Sequence, residues 1–320
     1  MTAPSGPVFY LGVHHPNWLW SGDFDCHLFV SHGRLRERKG RFPAAVVPGW
    51  ALDSRGFSEL QREGWWTIRP RDYIEHTIRY DCEIGHLDWA APQDWMCERA
   101  IVEGGTWGGQ KFVGTRKYLD PGHVLTYEQL AEEHQHRTVA NFLELCALWE
   151  EYRRRGECTR ENPFKPVLQG EPGNVASYLR CAQMYEDAGV RLTDWPVVGV
   201  GSVCRIQATP VVGKLARGLA PLGLRLHWFG LKLTGLPEVW PHVSSHDSQS
   251  WGAEARRSPR MEGCTHVRVR GRYIGQPSTC ANCPRYARRY YGRVNTLGAS
   301  LAARGWQPEL FRDGWLGDAA

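Results

Sequence analysis

The chain has 320 residues, of which 42% are hydrophobic and 23% are charged, and its formal net charge is +5. This composition excludes a disordered or collagen-like chain, and it fits one large α/β barrel or two modest domains around a sizeable core. The chain starts with no basic-then-apolar leader and contains no apolar run as long as a membrane span, so we expect a cytoplasmic protein of a bacterium or a phage-infected cell, with no membrane partner.

Eight short apolar or β-branched runs, separated by longer amphipathic segments, are predicted to be strands. Each run ends in a polar residue, and eight strands that alternate with helices favour a (β/α)8 TIM-type barrel. An open, doubly wound sheet is the alternative, because a sequence does not show closure. We therefore expect a single barrel domain over residues 1–320. The predicted strands cover residues 8–13, 28–31, 45–53, 87–92, 166–169, 197–202, 225–230 and 243–247.

Three helices have clear apolar faces. They are predicted over residues 127–155, from the N-cap residue Asn174 onwards, and over residues 209–222. Residues 104–122, before the first of these helices, are rich in glycine and basic residues, and such long excursions often act as functional lids. The predicted buried faces are Val139, Phe142, Leu143, Cys146 and Trp149 in the first helix, and Tyr178, Cys181, Ala182 and Tyr185 in the second.

Four residues near the C-terminus have the spacing of a zinc site. Cys264 and His266 form a Cys-x-His pair, Cys280 and Cys283 form a Cys-x-x-Cys pair, and thirteen residues separate the pairs. Two close pairs at the ends of a loop can supply four tetrahedral ligands, so the expected cofactor is Zn²⁺. The metal either folds this loop alone or also presents its basic side chains. The remaining seven cysteines are scattered and are expected to be reduced, buried thiols.

Ten arginines fall within residues 256–293, where Glu262 is the only acidic residue. We expect this segment to form a metal-binding, strongly positive lobe whose partner is a polyanion, most simply a nucleic acid. Arg268, Arg270 and Arg272, between the two metal-binding pairs, are the predicted nucleic-acid contacts.

Acidic and amide side chains follow several predicted strands, which is where the chemistry of a barrel is expected. They are Asp53, Asp94, Gln169 and Asp247. A single aspartate at a strand end is more often a helix cap than a catalyst. Three carboxylates in one barrel mouth, however, repel each other unless they share a cationic or N–H-donating substrate. An oxocarbenium ion that develops beside a purine-like base meets that need.

Four motifs that contain these residues resemble those of tRNA-guanine transglycosylases. Residues 53–57 (Asp-Ser-Arg-Gly-Phe) look like the family's Asp-Ser-Gly-Gly-Phe motif, and residues 93–98 (Gln-Asp-Trp-Met-Cys-Glu) resemble its Asp-Glu-Cys segment. Residues 167–170 (Val-Leu-Gln-Gly) resemble its Val-Gln-Gly-Gly motif, and residues 198–201 (Val-Gly-Val-Gly) its Val-Gly-Gly-Leu segment. Asp247 falls where that family places its nucleophile, and a cysteine-rich zinc site follows.

The stretch from residue 9 to residue 293 resembles more closely the 7-deazaguanine DNA transglycosylases of phages and bacterial DNA-modification clusters. The motifs that look characteristic of this branch are residues 50–54, 87–98 and 198–204. The resemblance implies an enzyme that removes guanine from double-stranded DNA, after the base has been flipped out, and installs a free 7-deazaguanine such as preQ0. It also allows a homodimer or a partner from a modification cluster.

The resemblance further implies a role for each site residue. Asp247 would attack C1′ and form a covalent glycosyl-enzyme intermediate, and Asp53 would transfer protons to and from the bases. The implied base-binding residues are Ser54, Asp94, Gln169, Gly199 and Gly201. Two alternatives remain: the same chemistry on tRNA, and a non-catalytic zinc-containing barrel that binds DNA and docks a partner.

The chain departs from the family pattern at two places. Arg55 replaces the first glycine after Asp-Ser, which reduces the backbone freedom expected there and adds a charge at the rim of the pocket, where it could instead bind a phosphate. The order of the predicted zinc ligands also differs from the Cys-x-Cys-x-x-Cys then His order of the tRNA enzymes. His242 or His246 is therefore an alternative to His266 as the fourth ligand.

Overall fold

A computed structural model of the protein describes residues 6–204, 206, 209–262, 264 and 279–304. Its central sheet has eight parallel strands, one in each of the eight predicted runs. These strands are β1 (Val8–Val13), β2 (Leu28–Ser31), β3 (Trp50–Asp53), β4 (Leu87–Ala90), β7 (Val167–Leu168), β8 (Val198–Val200), β9 (Leu226–Trp228) and β10 (Ser245–Ser248). An antiparallel hairpin of β5 (Gly105–Trp107) and β6 (Gln110–Phe112) lies outside this sheet.

The strand order, β4-β3-β2-β1-β10-β9-β8-β7, follows the chain around without reversal and places the first strand beside the last. The two ends of the sheet also meet. Ala90 forms a parallel bridge with Phe164, just before β7, and its N–H donates to the Pro163 carbonyl at 2.9 Å. A doubly wound sheet has a point at which the strand order reverses, and this sheet has none. The predicted α/β class and TIM-like sheet are therefore confirmed.

Helices on the outside of the sheet connect successive strands, and the connections after β3 and β4 contain one and two additional short helices, respectively. The α-helices are α1 (His32–Leu35), α2 (Gly56–Glu63), α3 (Pro70–Ile84), α4 (Arg99–Glu103), α5 (Arg116–Leu119), α6 (Tyr127–Arg154), α7 (Val175–Asp187), α8 (Thr209–Leu219), α9 (Leu236–Val239), α10 (Ser250–Arg257) and α11 (Pro284–Ala303). Short 3-10 helices cover Pro16–Leu19, Leu192–Asp194, Ala220–Leu222, Leu233–Gly235 and Trp240–His242.

The three predicted helices are present with small changes. A capping box between Thr126 and Gln129 starts α6, and the Asn174 side chain caps α7 as predicted, by accepting a hydrogen bond from the Ser177 N–H. Leu143 does not belong to the buried face of α6, because its position turns it towards solvent and leaves it 36% exposed. The third helix ends at Leu219 and continues as a 3-10 turn.

Aromatic rings fill the inside of the barrel. Tyr10 and Trp89 pack edge to face with centroids 5.8 Å apart, and Trp89 packs on His227 at 4.7 Å. Phe29 and Phe229 complete this layer at 6.0 Å from each other. Such a filled interior leaves the carboxyl ends of the strands as the place where a ligand can enter. No helix among the described residues is long and apolar enough to cross a membrane.

Candidate active site

A cavity of about 280 Å³ lies at the carboxyl ends of the parallel strands. It brings together the four polar residues that sequence reasoning placed at strand ends, although they come from strands far apart in the chain. These are Asp53, Asp94, Gln169 and Asp247. Ser54 and Gly201 also line the cavity, as predicted for base-binding residues. Gly199 lies deeper, in β8, where an added Cβ would meet the Phe229 ring at 2.5 Å; it is not among the described residues that line the cavity.

Asp53 ends β3 at the wall of the cavity. Burial raises the pKa of its carboxyl to about 6, and the nearby Asp247 adds to the shift. Hydrogen bonds from the Ser31 hydroxyl and the Arg55 backbone N–H oppose that shift. The carboxyl can therefore exist in either protonation state near neutral pH, which is what an acid–base catalyst requires.

Arg55 adopts the backbone conformation of the glycine that it replaces. Its φ of 71° and ψ of 16° lie in the left-handed region that favours glycine. The conformation lets the chain turn from β3 into α2, and the Arg55 guanidinium lies 3.7 Å from the Glu59 carboxylate. Gly33 makes room for this side chain, because a Cβ at Gly33 would lie 2.3 Å from Arg55 Cδ. Arg55 thus adopts the left-handed turn despite the reduced backbone freedom of a non-glycine residue, and it lines the cavity as predicted for a charge at the pocket rim.

Asp94 is buried, with 5% of its surface exposed. Burial raises the pKa of its carboxyl to about 7; the hydrogen bond from Gln169 opposes the shift, and the charges of Asp53 and Glu98 add to it. The Ser54 hydroxyl lies 3.5 Å from Asp94 Oδ1, and the amide of Gln169 donates to Oδ2. A carboxylate with so little solvent needs N–H donors, and a base bound in the cavity would supply them.

The amide of Gln169 is held in one orientation. Its Nε2 donates to Asp94, and its Oε1 accepts a hydrogen bond of 2.6 Å from the Ser202 hydroxyl. Ser202 has a φ of 53° and accepts a hydrogen bond of 2.7 Å from the Cys97 N–H. Gly201 leaves space for the amide, since a Cβ there would lie 2.2 Å from Gln169 Nε2. The Ser202 hydrogen bond fixes which end of the amide is the donor, and the second N–H of Nε2 is left for a ligand.

Two donors fix the carboxylate of Asp247, which is 6% exposed. The Gly230 N–H donates to Oδ1 at 2.8 Å, and His227 Nε2 lies 3.3 Å from the same oxygen. Ser245 Oγ lies 2.9 Å from the other ring nitrogen of His227. Burial lowers the pKa of His227, so the ring is neutral at pH 7 and can donate from Nε2. No described residue donates to the second oxygen of Asp247, which remains available to a ligand.

Sequence reasoning missed His227, Ser202 and Glu98 as parts of the site. His227 had a signal, because it alternates with Trp228 on a predicted strand and therefore points into the barrel. Glu98 lines the cavity, and its Oε2 lies 3.1 Å from Ser202 Oγ. The Ser202 contacts had no local signal, since its hydroxyl joins residues more than thirty positions away.

Three of the four predicted metal ligands form a second cluster. The sulfur atoms of Cys264, Cys280 and Cys283 are buried and lie within 4.8 Å of one another. His266 lies outside the described residues, as do Arg268, Arg270 and Arg272. Within the described part of the chain, neither His242 nor His246 joins this cluster. His246 stacks instead on Phe9, with ring centroids 4.8 Å apart.

Comparisons with known proteins identify a family. A sequence model of the DpdA family, DeoxyPurine in DNA protein A, matches residues 7–110 and 118–315. A search of curated proteins gave no match.

Two solved structures show weak similarity. One is the carboxyl transferase domain of Rhizobium etli pyruvate carboxylase with pyruvate, at 12% identity and a TM-score of 0.28, over 79% of this chain and 41% of that chain. A variant of the same domain gives 12% identity and a TM-score of 0.30, over 84% and 44%. The chain thus spans less than half of the length of these structures, and TM-scores this low bear neither on its fold nor on its function.

Proposed function

Because the chain belongs to the DpdA family of 7-deazaguanine DNA transglycosylases, we propose that it exchanges guanine in DNA for a free 7-deazaguanine such as preQ0. Membership supports a DNA-modifying transglycosylase in general, and the cavity supports the finer proposal. The observation that carries it is the convergence of Asp53, Asp94, Gln169 and Asp247 on one cavity at the carboxyl ends of the strands. The target base must leave the duplex stack to reach this cavity.

The reaction proceeds by two displacements at C1′ of the deoxyribose. The free oxygen of Asp247 attacks C1′, the bond between C1′ and N9 of guanine breaks, and Asp53 donates a proton to the departing base. Guanine leaves, and the incoming 7-deazaguanine returns a proton to Asp53 as its N9 attacks C1′. That attack releases the Asp247 carboxylate. The two inversions retain the configuration, and each proton is accounted for.

Asp94 and Gln169 recognise the Watson–Crick edge of the base. Asp94 accepts hydrogen bonds from N1–H and the exocyclic amino group, which guanine and a 7-deazaguanine share. Gln169 donates to the carbonyl oxygen through the second hydrogen of Nε2, while Ser202 occupies its Oε1. Gly201 lets the amide lie close to the ring. The pocket thereby accepts both bases and rejects an adenine, whose edge has the opposite polarity.

The exchange reaction gives a direct test. The purified protein is incubated with labelled guanine and either duplex DNA or tRNA, and nucleosides from DNA incubated with preQ0 are analysed by mass spectrometry. We expect the labelled guanine and the 7-deazaguanine to be incorporated into DNA and the label not to be incorporated into tRNA. Label in tRNA alone would support the alternative in which the same reaction acts on tRNA. Absence of exchange in both polymers would contradict the proposal.

We also propose that the three-cysteine cluster binds a structural zinc ion, with His266 as the fourth ligand. Three buried thiolates suit Zn²⁺, and the distance of 3.6 Å between the sulfurs of Cys264 and Cys283 fits. A tetrahedron with Zn–S bonds of about 2.3 Å has S–S edges of about 3.8 Å. The metal would tie the start of α11, where Cys283 is the N-cap residue, to the segment after α10. It supplies no step of the exchange reaction.

The zinc ion would organise residues 256–293 into an arginine-rich lobe of the single barrel domain. Arg268, Arg270 and Arg272 would contact phosphates of the DNA there. Support for this assignment comes from the sequence, in which the segment contains ten arginines and a single acidic residue, Glu262.

Replacing Cys280 with serine is expected to remove the metal and unfold the C-terminal segment. Structural zinc contributes ~10–16 kcal/mol in small sites, and serine is a poor zinc ligand. Metal analysis should give about one zinc per chain for the native protein and almost none for the variant. Hydrogen exchange should rise along α11. Cys82→Ser, at an exposed cysteine outside the cluster, is the matched control and should keep the metal. A metal-free native protein with full stability would contradict the assignment.

Replacing Asp94 with asparagine is expected to weaken base recognition and stabilise the free protein at alkaline pH. An unpaired base N–H in a buried pocket costs ~1–3 kcal/mol, so the KM for the free base should rise about 5- to 150-fold while DNA affinity is kept. The pKa of Asp94 is raised from 3.8 to about 7, so the folded state holds a proton that the unfolded state releases. Stability therefore falls as the pH rises between these values, and asparagine removes that loss.

Thermal melting at several pH values checks the second part of this expectation. The gain in stability of Asp94→Asn over the native protein should be small near pH 4 and largest above about pH 7. A gain that does not depend on pH would show that the carboxyl of Asp94 does not titrate in this range.

A further inference from the structure

Exposed apolar side chains are concentrated on one part of the described surface. Six of the nine exposed large hydrophobic residues are Trp65 or lie within residues 107–125. This stretch largely coincides with the glycine-rich excursion that the sequence suggested as a lid, and it contains the end of β5, all of β6 and α5. Exposed apolar side chains gathered in this way mark an interaction surface.

The patch lies on the side of the barrel where the active-site cavity opens. Residues 54–69 connect β3 to α3, and residues 91–126 connect β4 to α6, so both segments extend from the carboxyl ends of strands. Phe57, which lines the active-site cavity, packs edge to face on Phe112 of the hairpin at 6.0 Å. The hairpin is therefore one side chain away from the cavity.

A cleft with a volume of about 410 Å³ lies between these two segments. Four aromatic residues line it: Trp65, Trp66, Trp95 and Tyr118. We call it the aromatic cleft. It shares a wall with the active-site cavity, because Gln93 and Trp95 line the cleft whereas Asp94 and Met96 line the cavity. A ligand in the cleft and a base in the cavity would thus be separated by a single layer of side chains.

Two of these aromatic residues, Trp65 and Tyr118, are exposed. Trp65 and Tyr118 stack with centroids 6.1 Å apart and an interplanar angle of 28°, and they are 53% and 48% exposed. The ammonium group of Lys117 lies 5.2 Å from the centre of the Tyr118 ring. Flat exposed rings beside a cation are suited to stack on nucleobases.

The charge around the aromatic cleft favours a polyanion. Residues 104–119 contain Lys111, Arg116 and Lys117 and no acidic residue. Arg116 is ion-paired with Glu103 at 2.6 Å, but neither lysine forms an ion pair with a described residue. Both lysines are exposed and so remain free for phosphates. An apolar protein partner would gain nothing from these charges.

We propose that the aromatic cleft binds the DNA strand beside the exchanged nucleotide. Trp65 and Tyr118 stack on a base whose own stack has been opened by flipping, and Lys111 and Lys117 contact the adjoining phosphates. The inference rests on the proposed function in taking DNA as the polymer and base flipping as the event that opens the stack. It adds a second binding surface to the active-site cavity, which by itself holds one base.

Binding of labelled single-stranded and duplex DNA tests the surface without any need for chemistry. The double variant W65A/Y118A is expected to weaken single-strand binding about tenfold or more, since stacking contributes ~1–3 kcal/mol per base. W65F/Y118F keeps the flat rings and should retain most of the affinity. K111Q/K117Q should make the dependence of log Kd on log salt shallower by up to about two phosphate contacts.

Matched controls lie on the outside of the barrel. Leu179→Ala in α7 and Lys214→Gln in α8 change exposed residues of similar character and should leave DNA binding unaltered. If W65A/Y118A fails to fold, the K111Q/K117Q variant, which changes two exposed lysines, still tests the proposal. Unchanged affinity and salt dependence in K111Q/K117Q together with unchanged affinity in a folded W65A/Y118A would overturn the proposal. DNA binding lost in both variants would support it even if the native protein exchanged no base.

Discussion

Base exchange is expected to disappear in Asp247→Ala, together with any covalent adduct between the protein and DNA. The reason is the geometry of the carboxylate. One oxygen is held by the Gly230 N–H at 2.8 Å and lies 3.3 Å from His227, which leaves the second oxygen to attack C1′. Alanine offers no nucleophile, and water admitted in its place would hydrolyse the C1′–N9 bond, which releases guanine without installing a new base. The measurement is denaturing electrophoresis of protein incubated with labelled DNA, alongside the exchange assay.

Asp247→Asn separates the loss of the nucleophile from damage to the fold. The amide keeps the size of the side chain and an oxygen for the Gly230 N–H, so the variant should melt like the native protein, yet it should also trap no DNA. The control variant is Asp81→Ala. Asp81 lies on the outer helix α3, where it forms an ion pair with Arg160, so its replacement should leave activity unchanged. Exchange retained in Asp247→Ala would remove Asp247 from its role, and a native protein that binds DNA but never exchanges a base would favour the non-catalytic alternative.

The strands and the four polar cavity residues could be predicted because both depend on local pattern. Apolar runs with polar ends mark parallel strands, and the carboxyl ends of parallel strands share one edge of the sheet. Asp53 and Asp247 therefore had to lie at the same end of the barrel once the barrel was inferred. Closure of the sheet depends on hydrogen bonds between Ala90 and residues 163–165, and the hydrophobic periodicity of the sequence does not predict such long-range pairing.

The contacts that orient the side chains of the cavity could not be predicted, since they join positions distant in the chain. Ser202, whose hydroxyl orients the Gln169 amide, has a left-handed backbone conformation that a serine in the sequence does not predict. Arg55 is a second residue whose backbone conformation could not be predicted from its residue type. The sequence indicated that an arginine would reduce the backbone freedom at this position, and the structure shows that Arg55 nevertheless adopts the left-handed conformation, with its side chain in the space that Gly33 leaves. In both cases tertiary packing outweighs a local preference of order 1–2 kcal/mol.

Asp53→Asn is expected to lower the rate of exchange by about 10²–10⁴-fold while DNA binding persists. Asparagine keeps the shape of the side chain and can still accept a hydrogen bond from Ser31, but it transfers no proton. The native enzyme needs both states of this carboxyl: the acid protonates the departing guanine, and the carboxylate accepts the proton of the incoming base. Because the pKa of Asp53 is raised to about 6, the two states are both populated near that pH.

The pH dependence follows from that value. Exchange by the native protein should follow a bell-shaped curve, falling at low pH as the base form is lost and at high pH as the acid form is lost. Its two limbs belong jointly to Asp53 and the neighbouring Asp94, whose pKa of about 7 is coupled to the same charge. In Asp53→Asn both effects of Asp53 should vanish, and the residual rate should follow only the single titration of Asp94. If the variant kept the native bell and the native rate, another residue would carry the proton.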